Sequence, residues 1–346
     1  MPIDRPIASG INHSSRAPGH LKLTGEMSDP NTVKILIAGD VRGNLPALYK
    51  RVEAVNASPA GPFTALFCVG KFFGESPAAA DDDGTSKDDD ATHAGVRPYI
   101  DGTLTAPLPT YFIDGLPDGR EFCRDPSGVV APNVTFLRSA KVHEIQGLRV
   151  AALPGRHNPL VHDDESQLAA TTAERAGEYR AADVRTLLRS NATTETNPGG
   201  VVDLLLTNEW PRGCDHNATA APGDAVATAS AAGSPVISDV ARDVQPRYHV
   251  CGTGGCHYAR EPYKNPRGHA TRLVALAPVG NDRKERWLHA LALLPAAKQP
   301  PSALQQLPPD TTRNPYDAPP GGGPNGGNKN VNLYGRGEEF NHAGIR

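Results

Sequence analysis

Asp40 stands at the end of the apolar run Lys34-Ile-Leu-Ile-Ala-Gly-Asp40. A carboxylate just past a buried strand is placed to hold a divalent cation for phosphoester hydrolysis. An Asp-x-His arrangement would supply an imidazole as the second ligand two residues on, but this chain has Arg42 there. A guanidinium has no lone pair to offer a metal. The layout is that of a metal-assisted hydrolase whose chemistry has been altered. Elsewhere, His257 with Cys251 and Cys256 offers three candidate zinc ligands in one short stretch, without a fourth. The acidic residues Asp81 to Asp83 and Asp88 to Asp90 read as a solvated loop rather than a cation site.

The elements that must position Asp40 are readable from periodicity. Val33 to Ala38 is a buried-type strand, and from the N-cap candidate Asn44 the residues Leu45, Leu48, Tyr49, Val52 and Val55 recur at helical spacing. Phe63 to Val69 is a second apolar strand, so the chain opens with a β-α-β unit and a parallel strand pair. Strands are expected again at 110–113, 134–137, 142–145 and 148–153, with Gln146-Gly147 as a hairpin turn. A helix is expected over 167–189, and further strands at 201–206, 247–251, 271–277 and 287–294. Strands in both halves with few helices predict an α/β fold built as a two-sheet β-sandwich flanked by helices.

Composition sets the limits of that fold. Pro (33) and Gly (35) gather in the first thirty residues, in inserts and in the last fifty. We expect a disordered leader over 1–31, one folded domain over 32–297 with inserts near 76–96 and 213–235, and a flexible Pro/Gly-rich tail over 298–346. The net charge of -3 provides no global basic field, so any nucleic-acid contact must be local or made through a partner. Five cysteines without CxxC spacing read as reduced thiols of an intracellular protein. No secretory signal and no membrane-length apolar run is present, so no membrane partner is expected.

Four segments carry a family resemblance: Lys34-Ile-Leu-Ile-Ala-Gly-Asp-Val-Arg-Gly, Leu66-Phe-Cys-Val-Gly-Lys-Phe-Phe-Gly74, His269-Ala-Thr-Arg-Leu-Val-Ala-Leu-Ala-Pro-Val-Gly-Asn281 and Asn314-Pro-Tyr316. Together they resemble the amino-terminal, calcineurin-like metallophosphoesterase-related domain of the CWF19-like family, which includes a yeast relative associated with the lariat debranching enzyme. Members of that family usually continue into carboxy-terminal CwfJ domains, whereas this chain ends at Arg346.

Against the wider phosphoesterase pattern only Asp40 matches a metal ligand. Lys71 and Gly74 occupy acidic positions, Arg156 stands for a ligand Asn, Asn208 for a ligand His, and Gly252-Thr-Gly-Gly255 for Gly-His-x-His. His157 keeps the position of the leaving-group histidine. The resemblance thus implies a pseudoenzyme with vestigial Asp40 and His157, no bound metal and no cofactor. In this reading Arg42, Lys71 and Arg156 converge on the former metal pocket, where they could hold an RNA phosphate without cutting it. A salt bridge from Asp40 to Arg42 or Arg156, closing the site, is the structural alternative. Phe72 and Phe73 are either core or a stacking surface for a partner or a base.

The function that the resemblance implies is a non-catalytic accessory role in nuclear RNA processing, with a cytoplasmic pool also allowed. The step would be late pre-mRNA splicing or intron lariat debranching. Implied partners are the lariat debranching enzyme or late spliceosome proteins, with intron RNA as a further ligand. Two alternatives stand beside it: an active nuclease or phosphodiesterase with a rebuilt site, and an interaction scaffold unrelated to RNA.

Overall fold

The computed structural model describes residues 29–74, 93–114, 119–163, 177–192 and 200–317. Its first sheet has six strands in the order β15 (Leu288–Leu293), β1 (Val33–Ala38), β2 (Ala65–Cys68), β3 (Thr110–Phe112), β5 (Val134–Phe136) and β4 (Val129–Ala131). β1, β2, β3 and β5 run parallel. The second sheet runs β12 (Tyr258–Ala259), β14 (Ala270–Ala275), β11 (Tyr248–Cys251), β10 (Leu204–Thr207), β7 (Leu148–Leu153) and β6 (Lys141–Ile145), with β13 (Tyr263–Lys264) also on β14. Here β7, β10, β11 and β14 are parallel. A short ladder joins β8 (Arg156–His157) to β9 (Glu178–Tyr179).

The sheets pack face to face, and residue alternation shows why these strands read as unbroken apolar runs. In β1, Ile35 and Ile37 enter the core between the sheets, while Leu36 and Ala38 face the opposite way toward helix α1 (Leu45–Asn56). In β7, Val150 and Ala152 face the first sheet, and Ala151 and Leu153 face outer helices. A strand covered on both faces reads as a near-continuous apolar run, broken in β7 by the buried Arg149. The outer layer over the second sheet is α3 (Ala181–Asn191), contributing Val184 and Leu187, and α5 (Pro235–Val244), contributing Ile237, Val240 and Val244. The result is a mixed α/β sandwich of two sheets flanked by helices.

Local signals fix the joints. The Asn44 side chain accepts from the Ala47 N–H at 3.3 Å and caps α1, as its position predicts. Gln146 and Gly147 both take positive φ, 54° and 76°, and form the turn of the β6–β7 hairpin.

Three expectations change. The helix expected from residue 167 begins only at Ala181, because residues 178–179 form β9 instead and Arg180 sits extended at the helix entrance; residues 164–176 lie outside the described residues. The segment 213–235 is not a peripheral insert. It holds helix α4 (Asp224–Ala232) and the buried residues Cys214, Ser230 and Ser234, because its alanines favour helix and its hydroxyls find partners such as Asp215. Residues 298–317 are not free tail. They carry the short helix α6 (Pro301–Leu304), bridge Thr312 to Tyr263 and bury Asn314. Most of the leader (1–28) and most of the acidic insert (75–92) lie outside the described residues, while 93–96 form a turn that buries His93 and Val96 ahead of α2 (Arg97–Ile100).

Candidate functional site

The parallel strands of both sheets deliver their carboxyl-terminal loops to one place. Asp40, after β1, is fully buried. Its Oδ1 accepts from the Thr253 N–H at 2.9 Å and the Lys71 N–H at 3.2 Å, and its Oδ2 faces Arg42 Nη2 at 3.4 Å. Arg42 and Gly43 take φ of 51° and 75°, a turn that folds the guanidinium back over the carboxylate. Burial pushes the Asp40 pKa above the usual carboxylate value, against the opposing pull of the Thr253 N–H, the Arg42 charge and the Lys71 N–H. Two glycines make room for this oxygen. A Cβ on Gly70, which sits at φ +80°, would lie 1.7 Å from Asp40 Oδ1, and one on Gly252 would lie 2.8 Å from it.

Asn208, after β10, ties the two sheets together. Its Oδ1 accepts from the Gly70 N–H at 3.0 Å, and its Nδ2 donates to the Gly155 carbonyl at 3.0 Å. Its own carbonyl accepts from the Gly252 N–H at 3.2 Å and from Thr253 Oγ1 at 2.8 Å. This donor set does not fit a divalent cation. Asp40 is surrounded by N–H groups and a guanidinium, all presenting positive ends, and the Asn208 oxygen is already committed to Gly70.

Arg156 and His157 lie on a neighbouring patch. Arg156, 51% exposed at its side chain, faces Glu178 Oε1 at 3.5 Å, and Asn158 Nδ2 donates to the same oxygen at 2.7 Å. The His157 N–H donates to Glu209 Oε2 at 2.7 Å, and the Tyr179 hydroxyl donates to that oxygen at 3.0 Å. Burial raises the Glu209 pKa, opposed by those two donors and by Arg156. The His157 ring stacks along Tyr179 and meets His162 edge-on, with centroids 5.0 Å apart. Burial, then the neighbouring His162 and Arg212, push its pKa below the usual imidazole value.

The structure therefore brings Arg42 and Lys71 together, with the N–H groups of Val41 and Arg42 both donating to the Lys71 carbonyl at 2.8 and 3.0 Å. Arg156 follows Gly155, whose carbonyl accepts from Asn208 Nδ2. Both arginines face carboxylates.

No protein-family model matches the chain. Among curated proteins it is similar to zinc finger CCCH domain-containing protein 64 of Arabidopsis thaliana, 36% identical over 306 residues, covering 82% of this chain and 45% of that protein. It is similar to the CWF19-like protein 1 homolog of Drosophila melanogaster, 34% identical over 283 residues, with 77% and 44% covered. CWF19-like protein 1 of Homo sapiens is 31% identical over 294 residues, with 82% and 48% covered. The chain belongs to the CWF19-like family. It spans about half the length of the curated relatives it matches. Among solved structures, TT1561 of Thermus thermophilus aligns with 75% of this chain and 99% of its own at a TM-score of 0.43 and 16% identity.

Other candidates of this CWF19-like chain resolve differently. Phe72 and Phe73 are core, 1% and 2% exposed, with Phe72 stacked on Phe112 at 3.9 Å between centroids. They present no ring face to a base. Their N–H groups donate to Asp114 Oδ2 at 2.9 and 3.2 Å, so a buried carboxylate unremarked in the sequence shapes the FFG turn. Glu209 was also missed. Its signal was a carboxylate two residues past the buried β10, similar to Asp40 past β1. Among the described residues no group of three or more His, Cys, Asp and Glu side chains is arranged to hold a metal ion, so His257 with Cys251 and Cys256 forms no zinc centre. No helix among them is long and apolar enough to cross a membrane.

Proposed function

We propose that this chain is a calcineurin-like, phosphoesterase-related module that has given up catalysis and serves as an accessory factor in nuclear RNA processing, late in splicing or at intron lariat debranching. The observation that carries the non-catalytic reading is the closure around Asp40. Backbone N–H groups of Lys71 and Thr253 and the Arg42 guanidinium hold the carboxylate where a metal clamp would have to be, and Asn208 seals the two sheets beside it. Nothing in this set lowers the pKa of a water, so no hydroxide nucleophile forms. Binding is a different matter. The half-exposed side chains of Arg42 and Arg156, with Lys71 beside them, supply charge-assisted donors for a phosphodiester, tempered by Asp40, Glu178 and Glu209. The family supports the RNA-processing part, and the lariat debranching enzyme and late spliceosome proteins are the partners we propose.

The test is affinity capture of the tagged chain from nuclear extract, with mass spectrometry and RNA sequencing of what it retains. Enrichment of spliceosome proteins and intron lariats over input is the expected outcome. A retained RNA pool identical to input, with no spliceosome protein, would overturn the reading.

A further inference from the structure

A sheet edge leaves a row of unpaired backbone groups, and native folds shorten, bend, charge or cover such edges to keep other strands away. Most edges of this chain are treated so. β4 has three residues and an irregular register between Val129 and Ala131. β6 exposes Lys141 and Glu144, and its Val142 N–H donates to Ser190 Oγ at 2.9 Å. β12 and β13 have two residues each. Thr312 also covers β13, donating from its N–H to the Pro262 carbonyl at 2.7 Å and accepting from the Lys264 N–H at 3.1 Å.

β15 is the exception. It closes the first sheet, pairs with β1 without a break from Val33 with Leu293 to Ala38 with Leu288, and contains no proline, aspartate, glutamate, lysine or arginine. His289 adds no charge at physiological pH, because burial pushes its pKa down to about 4. The ladder fixes which backbone groups are free. The Gly39 N–H donates to the Trp287 carbonyl at 2.9 Å, so in the alternation of an antiparallel pair His289, Leu291 and Leu293 turn their backbone groups to β1, and Leu288, Ala290 and Ala292 turn theirs outward. The far side of β1 agrees: the carbonyls of Lys34 and Ala38, opposite Ala292 and Leu288, accept from the Thr64 and Val69 N–H groups. Among the described residues nothing bonds to the outward groups of Leu288, Ala290 and Ala292, and both alanines are exposed. Arg247 Nη1 and Gln299 Nε2 take the next outward carbonyl, that of Leu294, and end the open stretch.

The entrance to β15 is cationic. Lys284 and Arg286 are exposed and hold no ion pair among the described residues, while Arg283 is taken by Glu285 and the Gly255 carbonyl. Glu285 also accepts from the His257 N–H, and Asp282 is exposed at the far end of the loop. We propose that β15 takes up an extended peptide of a partner protein as an added antiparallel strand, with aliphatic residues beside Leu288, Ala290 and Ala292 and acidic residues just after them, against Arg286 and Lys284. A second copy of this chain fits less well. Pairing β15 with itself about Ala290 sets Arg286 opposite Leu294 of the other copy, and residues 288–300 contain Lys298 but no acid. RNA fits less well too, since its backbone carries no N–H to answer the outward carbonyls. The proposal does not rest on the RNA-processing role.

The experiment uses the full chain and a fluorescent peptide of alternating Val and Thr ended by two Asp, followed by anisotropy. Binding that weakens as salt rises is expected. Ala290→Pro removes an N–H that bonds nothing in the fold, a change that edge strands tolerate, and should weaken binding about tenfold. Arg286→Ala should weaken it about threefold. Melting curves show whether both variants stay folded. Without any variant, N-methylation of two adjacent central residues blocks both edges of the peptide and should abolish binding. No binding of the unmethylated peptide to the wild-type chain, or undiminished binding of the methylated one, would overturn the proposal. So would wild-type affinity in a folded Ala290→Pro, or equal affinity for a peptide ended by two Asn. Sedimentation showing a dimer that Ala290→Pro dissolves would give the edge to a second copy instead. Displacement of the peptide by a short single-stranded RNA, with Ala290→Pro without effect, would give the cations to nucleic acid.

Discussion

Replacing Asn208 by alanine removes one side chain and breaks the seam between the sheets. The Gly70 N–H and the Gly155 carbonyl, both buried, would lose their bonds of 3.0 Å to Asn208. The main-chain bonds from Gly252 and Thr253 to the Asn208 carbonyl survive, so the loop keeps its course. Each stranded group costs about 1–3 kcal/mol, which makes about 2–6 kcal/mol for the pair, with the lower half expected if a water enters the vacated space. Against a typical domain stability of about 5–15 kcal/mol that is a large fraction. Urea denaturation of wild type and Asn208→Ala measures it as a lower midpoint at unchanged m-value. Asn208→Asp separates the hydrogen bonds from simple volume. It keeps the acceptor for Gly70 but turns an oxygen toward the Gly155 carbonyl and sets a second carboxylate in the Asp40 loop cluster. It should cost at least as much as alanine at neutral pH and recover as acid protonates the new carboxyl. An Asn208→Ala variant within about 0.5 kcal/mol of wild type, the range of an ordinary surface change, would refute the argument that these bonds hold the closed site.

Gly70→Ala should destabilise by about 2 kcal/mol or more, seen as a lower melting temperature, because its φ is +80° and the added carbon would lie 1.7 Å from Asp40 Oδ1. Asp40→Asn should be at least as stable as wild type at pH 7, with the advantage shrinking as pH falls. The folded-state pKa of Asp40 is raised, so the penalty for its charge is full above that value and disappears as protonation relieves it. A loss of several kcal/mol at pH 7 would contradict that sign. Millimolar manganese should leave the melting temperature unchanged, since the N–H groups and guanidinium around Asp40 offer no clamp, and elemental analysis after dialysis should find no stoichiometric metal. Truncation after Pro295 should lower stability by about 2 kcal/mol or more, because it removes buried Asn314 and the Thr312 bonds to Arg260 and Pro262.

Much of the fold was legible because its signals are local. Ile35, Leu36, Ile37 and Ala38 declare a strand covered on both faces, Asn44 and the spacing of Leu45, Leu48 and Val52 declare a capped helix, and Gln146-Gly147 declares a hairpin. That Arg42 cannot be a metal ligand was legible too, since a guanidinium has no lone pair to offer in any fold. The tail was misread because proline and glycine content describes chain stiffness, whereas the docking of residues 312–316 depends on Asn217, Arg260 and Tyr263 waiting elsewhere in the sequence. The same limit applies to the site itself. Thr253 reaches Asp40 across 213 residues and Asn208 reaches Gly70 across 138. Composition and periodicity extend over a few residues, so they fixed which side chains were available. Only the packing of one sheet on the other decided that Asp40 would be held by N–H groups, that Glu209 would face His157 and Tyr179, and that Phe72 would be core.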